Sequence, residues 1–314
     1  MKSFKVSIIG AGLMAEEHIK AFVDIPFVEI SGIHSRTHSR AEALANKYAI
    51  FNVHVSIDDL YKSTRADFLI IAVPELAVNG VCMAAFKYPW QILIEKPAGY
   101  NLQDAKKIAG VAARSKVNAY VALNRRHYSS TRLVLEDLVN VQGQRLVQVL
   151  DQENPQVALE GGQPPLVVEN WMYANSIHLI DYLRIFCRGS IDKVERVVKW
   201  DPLDPRFVVA KVTFSSGDIG IYQAVWNAPG PWSVAVNTQS KRWEMRPLEQ
   251  ASVQTYKARR SETIPMHEWD TKFKPGIRLQ AEEVVRAARG ELHNLPSLED
   301  GLATMKLVQQ IYAQ

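Results

Sequence analysis

Four short stretches of this 314-residue chain carry residue types whose spacing suits chemistry on a small molecule. Gly10-Ala11-Gly12-Leu13-Met14-Ala15 directly follows the strand-like Val6-Ser7-Ile8-Ile9. In a strand–turn–helix setting this GxGxxA pattern has a mechanism. Gly10 permits a tight turn, Gly12 lets backbone N–H groups approach a pyrophosphate, and Ala15 lets helix and strand pack closely. With Ala11, Leu13 and Met14 they form the candidate phosphate loop, where ligand charge meets the positive end of the helix dipole. The plain alternative is a glycine-rich turn that binds nothing. Further on, Gly32-Ile33-His34-Ser35-Arg36-Thr37 ends a second strand-like run without a carboxylate. An NAD site usually places Asp or Glu there for the ribose 2′-hydroxyl. Ser35 can instead donate to a 2′-phosphate, and Arg36 can pair with it and stack beside adenine. NADP(H) is therefore favoured over NAD(H), against the alternative of a solvated loop arginine.

Glu95-Lys96-Pro97 ends the apolar run 92–94. Desolvating an ammonium there is costly unless something pairs with it. Pro97 holds the backbone of Lys96 extended, and the plain alternative is a surface lysine at a strand end. His178 and Asp181 stand three residues apart in an apolar helical stretch, so both can share one face. An imidazole that titrates near pH 6.5 suits proton transfer. Asp181 could orient that ring or cap a neighbouring group.

Strand-like runs at 6–9, 28–33, 68–73, 92–94 and 119–123 alternate with amphipathic helical ones at 14–23, 39–47, 78–86 and 102–115. Ser39 and Asn101 are the expected N-caps. The strands are short, rich in Val, Ile and Leu, and lack a polar face, as parallel strands covered on both sides do. This alternation predicts a doubly wound Rossmann domain over 1–123.

After Leu123 the pattern changes. A helix at 131–138 and a strand at 145–150 precede a helix at 177–186. Strands then follow without intervening helices at 194–200, 207–214, 219–226, 233–238, 242–246 and 253–257, and helices at 277–289 and 298–313 close the chain. Residues 124–314 are thus expected to form an α+β domain on a large, mostly antiparallel open sheet. This domain would bind substrate and carry subunit contacts, and its last helix could pack back on the first domain.

Gly10 through His18, Glu95-Lys96-Pro97 and His178-Leu179-Ile180-Asp181 together resemble the Gfo/Idh/MocA oxidoreductases. Asn124-Arg125-Arg126, Pro275-Gly276, Gln280-Ala281-Glu282 and Ser297 through Gly301 fit the same pattern. The resemblance implies hydride transfer between nicotinamide and a secondary alcohol or ketone on a sugar, nucleotide-sugar or cyclic polyol. Lys96 would polarise the reacting oxygen, His178 would carry its proton, and Glu95 would lie on the cofactor side. No metal is then required. Pro74 is kept in the loop after the third long strand, among the cofactor-contacting positions, and Glu75 stands where Asn is usual. Many family members also carry an Asp four residues before the histidine. Here that position is Ala174, and Asn175 faces about 100° away on a helix. Two other readings use the same residues: an NADP-binding sensor without catalysis, and a reductase of C=C or C=N bonds.

Asn124, Arg125 and Tyr173 are the remaining substrate-contacting candidates. Arg125 and Arg126 could bind a phosphate or carboxylate, or pair with acids of the protein. His127 stands beside them. Trp171 and Tyr173 could stack on a sugar ring or simply pack. Trp226, Trp232 and Trp243 would build a sheet face or a subunit contact, and the resemblance implies that an exposed sheet face pairs with another subunit in a homodimer or homotetramer.

Composition sets the limits. Hydrophobic residues make up 47% and charged residues 22%, which excludes disorder and coiled coil as the main architecture. The 37 basic and 33 acidic residues leave +4, too little for a nucleic-acid-binding face. Cys82 and Cys187, the only cysteines, stand in no metal-ligand spacing, so a reducing compartment is expected. The start of the chain lacks a signal-peptide pattern, and the uncharged stretch 219–240 is broken by polar, Pro and Gly residues. A cytoplasmic protein without membrane partners is the expectation.

Overall fold

The computed structural model describes residues 3–313. The chain forms two compact units. One combines residues up to Asn124 with Lys272–Leu302, and the other combines Arg125–Thr271 with residues from Ala303 onward. The chain therefore passes between units at 124/125, 271/272 and 302/303.

The first unit is built on six parallel strands: β1 (Phe4–Ile9), β2 (Val28–His34), β3 (Val53–His54), β4 (Phe68–Ile71), β5 (Gln91–Glu95) and β6 (Ala119–Ala122). Their order, β3-β2-β1-β4-β5-β6, reverses between β1 and β4. In open α/β sheets that reversal leaves a crevice at the carboxyl ends of the strands. Residues of β1 and β4 such as Val6, Ile8, Phe68 and Ile70 are fully buried, which is why these strands carry no polar face. Ile19 and Phe22 of the helix Leu13–Val23 pack into the same core. So do Ile277, Ala281 and Val284 of the helix Ile277–Ala288, although they lie far away in sequence. Asn101 caps its helix as expected, accepting from the Asp104 N–H at 2.9 Å. Ser39 does not. The second helix starts at His38 with extended Thr37 at its N-cap, so Ser39 already lies inside the first turn.

The second unit is built on eight strands: β7 (Leu146–Glu153), β8 (Ile191–Val198), β9 (Phe207–Phe214), β10 (Ile219–Trp226), β11 (Ser233–Asn237), β12 (Lys241–Met245), β13 (Ala251–Thr255) and β14 (Glu262–Thr263). Their order is β14-β13-β12-β11-β7-β10-β9-β8. Only β7 and β10 run parallel; the other pairs are antiparallel. Burial alternates with period 2 along β7, β9 and β10, as a strand with one covered face requires. The helix Ile177–Phe186 covers the face that carries Val147, Val149, Tyr222 and Ala224. The opposite face mixes Leu150, Val209, Ile221 and Val225 with Gln148, Lys211 and Gln223, and it is only partly buried. The segment 219–240 is two strands flanking β7, with a turn between them. No helix among the described residues is long and apolar enough to cross a membrane.

One difference from the sequence expectation matters for chemistry. The strand predicted at 145–150 runs on to Glu153. Asp151-Gln152-Glu153-Asn154-Pro155 looks like a polar turn, yet Asp151 and Glu153 continue the covered face begun by Val147 and Val149.

Candidate active site

The candidate cofactor residues of the first unit share one edge of the sheet, because every strand in it is parallel. Gly10 follows β1, and its N–H donates to the His34 carbonyl at 2.8 Å, which ties the loop to the end of β2. At φ +121° it occupies the region that favours glycine, and a Cβ there would lie 2.0 Å from the Ala72 carbonyl oxygen. Gly12 serves differently. It is the N-cap of the helix Leu13–Val23, no side chain caps that end, and a Cβ on it would meet nothing within 4 Å. No side chain among the described residues caps the start of this 11-residue helix, which fits a phosphate. Leu13 beside them is 70% exposed.

Ser35 and Arg36 follow β2. Ser35 Oγ accepts from the Thr37 N–H at 3.3 Å, and Arg36 is exposed, with no ion pair to an acid among the described residues. Pro74 is exposed in the loop after β4, and the half-buried Glu75 opens a single 3₁₀ turn there. Lys96 is half-buried directly after β5. Glu95, its buried neighbour, shares a 2.7 Å hydrogen bond with His18 Nε2 of the first helix, and His18 is itself 1% exposed. The carboxylate is therefore spent on the helix behind the phosphate loop. Asn124, buried at the end of the unit, donates its amide to the Pro275 carbonyl at 3.1 Å.

In the second unit the two neighbouring arginines divide their work. Arg126 binds Asp181 through two hydrogen bonds of 2.6 and 2.7 Å, and Thr304 adds a third at 2.7 Å. Burial alone would raise the Asp181 carboxyl, but Arg126 overcomes this and holds it below the usual carboxylate range. Asp181 is thus the partner of Arg126. Arg125 instead lies over the Trp232 ring, 4.7 Å from its centroid, and its buried Nη1 has no hydrogen-bond acceptor among the described residues. His127 is buried, and burial pushes its imidazole down to about 3, which favours the neutral ring near pH 7.

His178 is the second residue of the helix Ile177–Phe186 and is buried. The residues before it, Met172–Ser176, form a π turn that contains Tyr173 and the buried Ala174. Burial raises the Tyr173 phenol. Glu153, at the end of β7, accepts from Trp171 Nε1 at 2.7 Å, Asn175 Nδ2 at 2.8 Å and Ser176 Oγ at 3.0 Å. Asp151 accepts from the Tyr222 hydroxyl at 2.6 Å, and Tyr222 is linked to the Tyr312 hydroxyl at 2.8 Å. Sequence reasoning missed these two acids and both tyrosines. The available signal was the alternation Val147, Val149, Asp151, Glu153, which continues without a break into the polar run. A cavity of about 520 Å³ opens beside this strand end, lined by Asn154, Pro155, Gln156, Val168 and Asn227. None of the sequence-nominated substrate residues lines it. The three tryptophans separate as well. Trp226 donates to Tyr312, Trp243 to Asp137 and the partly exposed Trp232 to the Gln152 carbonyl.

A sheet order that reverses beside a glycine-led helix defines a Rossmann-type fold. Residues 4–123 match the Gfo/Idh/MocA family, an oxidoreductase family with an NAD-binding Rossmann fold. The rhizopine catabolism protein MocA of Rhizobium meliloti is 29% identical over 140 residues, 44% of this chain and 43% of that protein. Glucose-6-phosphate 3-dehydrogenase of Bacillus subtilis is 26% identical over 136 residues, 43% of this chain and 38% of that protein. The matched stretch therefore spans about two-fifths of these relatives' own length. Over the whole chain the fold resembles a dehydrogenase from Chromobacterium violaceum, with a TM-score of 0.83 and 17% identity, covering 99% of this chain and 94% of that one.

Proposed function

We propose that this protein is an NADP(H)-dependent oxidoreductase that interconverts a secondary alcohol and a ketone on a sugar, nucleotide-sugar or cyclic polyol. The observation that carries the reading is the shared edge of the parallel sheet. The uncapped helix behind Gly10 and Gly12 stands there with Lys96, two strands along. When bound, the cofactor takes up or releases a hydride at its nicotinamide C4. Lys96 is assigned to hold the reacting oxygen, where its ammonium stabilises the negative charge that grows during transfer. His178 takes the hydroxyl proton on oxidation and returns it on reduction. Ser35 and the exposed Arg36 support NADP(H) over NAD(H), since a 2′-phosphate supplies the anion that this strand end otherwise lacks. A sugar-like substrate is supported by one relative's name, glucose-6-phosphate 3-dehydrogenase.

The second unit is assigned substrate binding and, through its half-buried open face, a homodimer or homotetramer contact. Arg125, aligned on Trp232, and Tyr173 are its remaining substrate-contacting candidates. One observation favours a second reading. The buried Ala174 leaves no acid where many relatives carry one, as a sensor that binds NADP(H) without catalysis could tolerate.

The test is Lys96→Ala, assayed with pooled sugars and nucleotide sugars at the nicotinamide absorbance. The expected outcome is a fall in kcat of about 10²–10³-fold with NADPH affinity nearly unchanged. Retained turnover would remove Lys96 from the mechanism. A wild-type protein that binds NADPH yet turns over nothing in the pool would leave the sensor reading standing.

A further inference from the structure

We propose that Asp151 and Glu153 hold one shared proton beneath the helix that carries His178, and that Glu153 is the positioning residue that sets the aim of that histidine. The inference rests on the assignment of His178 to proton transfer. Both acids lie on the covered face of β7, two residues apart, and are 2% and 0% exposed. Such burial of two like charges is costly unless a proton or a cation intervenes.

The groups around the pair supply donors and very little positive charge. Trp171, Asn175 and Ser176 donate to Glu153, and Tyr222 donates to Asp151 Oδ2. Tyr312 lies behind Tyr222 at 2.8 Å and 3.4 Å from Ser176 Oγ. Arg125 acts on Asp151 as a cation and makes no ion pair with it among the described residues. The second oxygen, Asp151 Oδ1, is buried and has no hydrogen-bond partner among the described residues. An orphaned buried acceptor of that kind is destabilising. A proton shared between the two carboxyls removes the deficit and leaves a single negative charge. Burial raises both acids above the usual carboxylate range, and the Asp151 charge raises Glu153 further.

The geometry of the donors gives Glu153 its second role. Trp171, Asn175 and Ser176 stand at i, i+4 and i+5, the span of one π turn, and Met172–Ser176 form that turn. One carboxyl group therefore collects three side chains from a single widened turn. An extra residue in a helical turn rotates everything after it by about 100°. His178 follows Ser176 by two residues, so the direction in which its ring points depends on the π turn remaining closed. Glu153 holds it closed from the strand below.

Two measurements on the full-length protein with NADPH bound test the proposal. In infrared spectra at neutral pH, wild type is expected to show a protonated-carboxyl C=O stretch that both Glu153→Gln and Asp151→Asn remove. Either substitution leaves a lone acid that ionises among the remaining donors. A spectrum without that band, or a band unchanged in both variants, overturns the shared proton. In kinetics, Glu153→Ala is expected to lower kcat about 10²-fold, with KM and NADPH affinity within about twofold, because a small misplacement of the acid/base group is enough. Glu153→Gln, which can still accept at one oxygen, is expected to restore most of that loss. Wild-type kcat in Glu153→Ala overturns the positioning role. The infrared readout needs no turnover, so it stands if His178 proves not to be the acid/base while the kinetic comparison fails. If Glu153→Ala does not fold, the spectra of the two conservative variants still decide.

Discussion

In the six-stranded sheet the candidate ligand groups are backbone N–H groups and single side chains, each within two or three residues of a strand end. Gly10 and Gly12 follow β1, Ser35 and Arg36 follow β2, and Lys96 follows β5. In the eight-stranded sheet the buried polar groups come from four separate elements. Asp151 and Glu153 lie on β7, Tyr222 on β10, Ser176 in the π turn and Tyr312 in the last helix. The first arrangement depends on where a strand stops. The second depends on side chains that meet only after the sheet has formed, so it must be fully satisfied to be tolerated. Substitutions in the first unit should therefore separate stability from binding position by position. In the second unit one substitution should disturb several partners at once.

Gly10→Ala is expected to have the largest effect. Its Cβ would lie 2.0 Å from a backbone oxygen of the neighbouring strand, at a φ that alanine avoids. Backbone cannot yield as a flexible side chain does, so a loss of at least about 5 kcal/mol is expected, seen as unfolding or a collapse of Tm. Gly12→Ala is the matched control. With nothing within 4 Å of the new methyl, Tm is expected to hold while NADPH affinity falls about tenfold through crowding of the phosphate. Equal losses of stability in the two variants would break the claim that one glycine serves the fold and the other the ligand.

Arg126→Ala probes the other unit and ranks second. It strips two short hydrogen bonds from an Asp181 carboxylate that is 3% exposed. Thr304 remains at 2.7 Å and Arg184 at 3.9 Å, and neither replaces the two-pronged contact. Leaving a buried charge without its partner is expected to cost about 3 kcal/mol in denaturant unfolding. Asp181→Asn in the same background should recover part of the loss, because the uncompensated charge is then gone. Additive losses in the double variant would mean that the two residues do not act as one unit.

The same contrast explains what the sequence could disclose. Parallel strands announce themselves as short apolar runs, and the glycine pattern gains meaning from its place between a strand and a helix. The ends of β1, β2 and β5 were therefore readable, whereas the two-residue β3 was not. The strands of the second sheet were readable as apolar runs between turns, among them β9 at 207–214 and β10 at 219–226. What escaped was the end of β7, because Asp-Gln-Glu-Asn-Pro has the composition of a turn. The cover supplied by Tyr222 and Tyr312 is 70 to 160 residues away in sequence. The π turn escaped as well, since one extra residue does not disturb the apolar period of 177–186. Ser39 lost its capping role to the extended backbone of Thr37, one residue outside the helix. Local pattern was legible; polar contacts that require two distant elements to meet were not.

Ser35→Asp carries the smallest expected effect and sharpens the comparison most narrowly, because it changes neither fold nor network. The side chain is half-buried at the end of β2, and its one hydrogen bond accepts from the Thr37 N–H, a role that an aspartate oxygen can also fill. The new carboxylate would repel a 2′-phosphate and accept from a ribose 2′-hydroxyl. The ratio of kcat/KM for NADPH to that for NADH should fall about tenfold or more, equivalent to about 1.4 kcal/mol, with Tm unchanged. Arg36→Ala should move the ratio in the same direction by removing the cation that the phosphate would meet. An unchanged ratio in both variants would show that this strand end does not choose the cofactor, and the assignment of NADP(H) would fall with it.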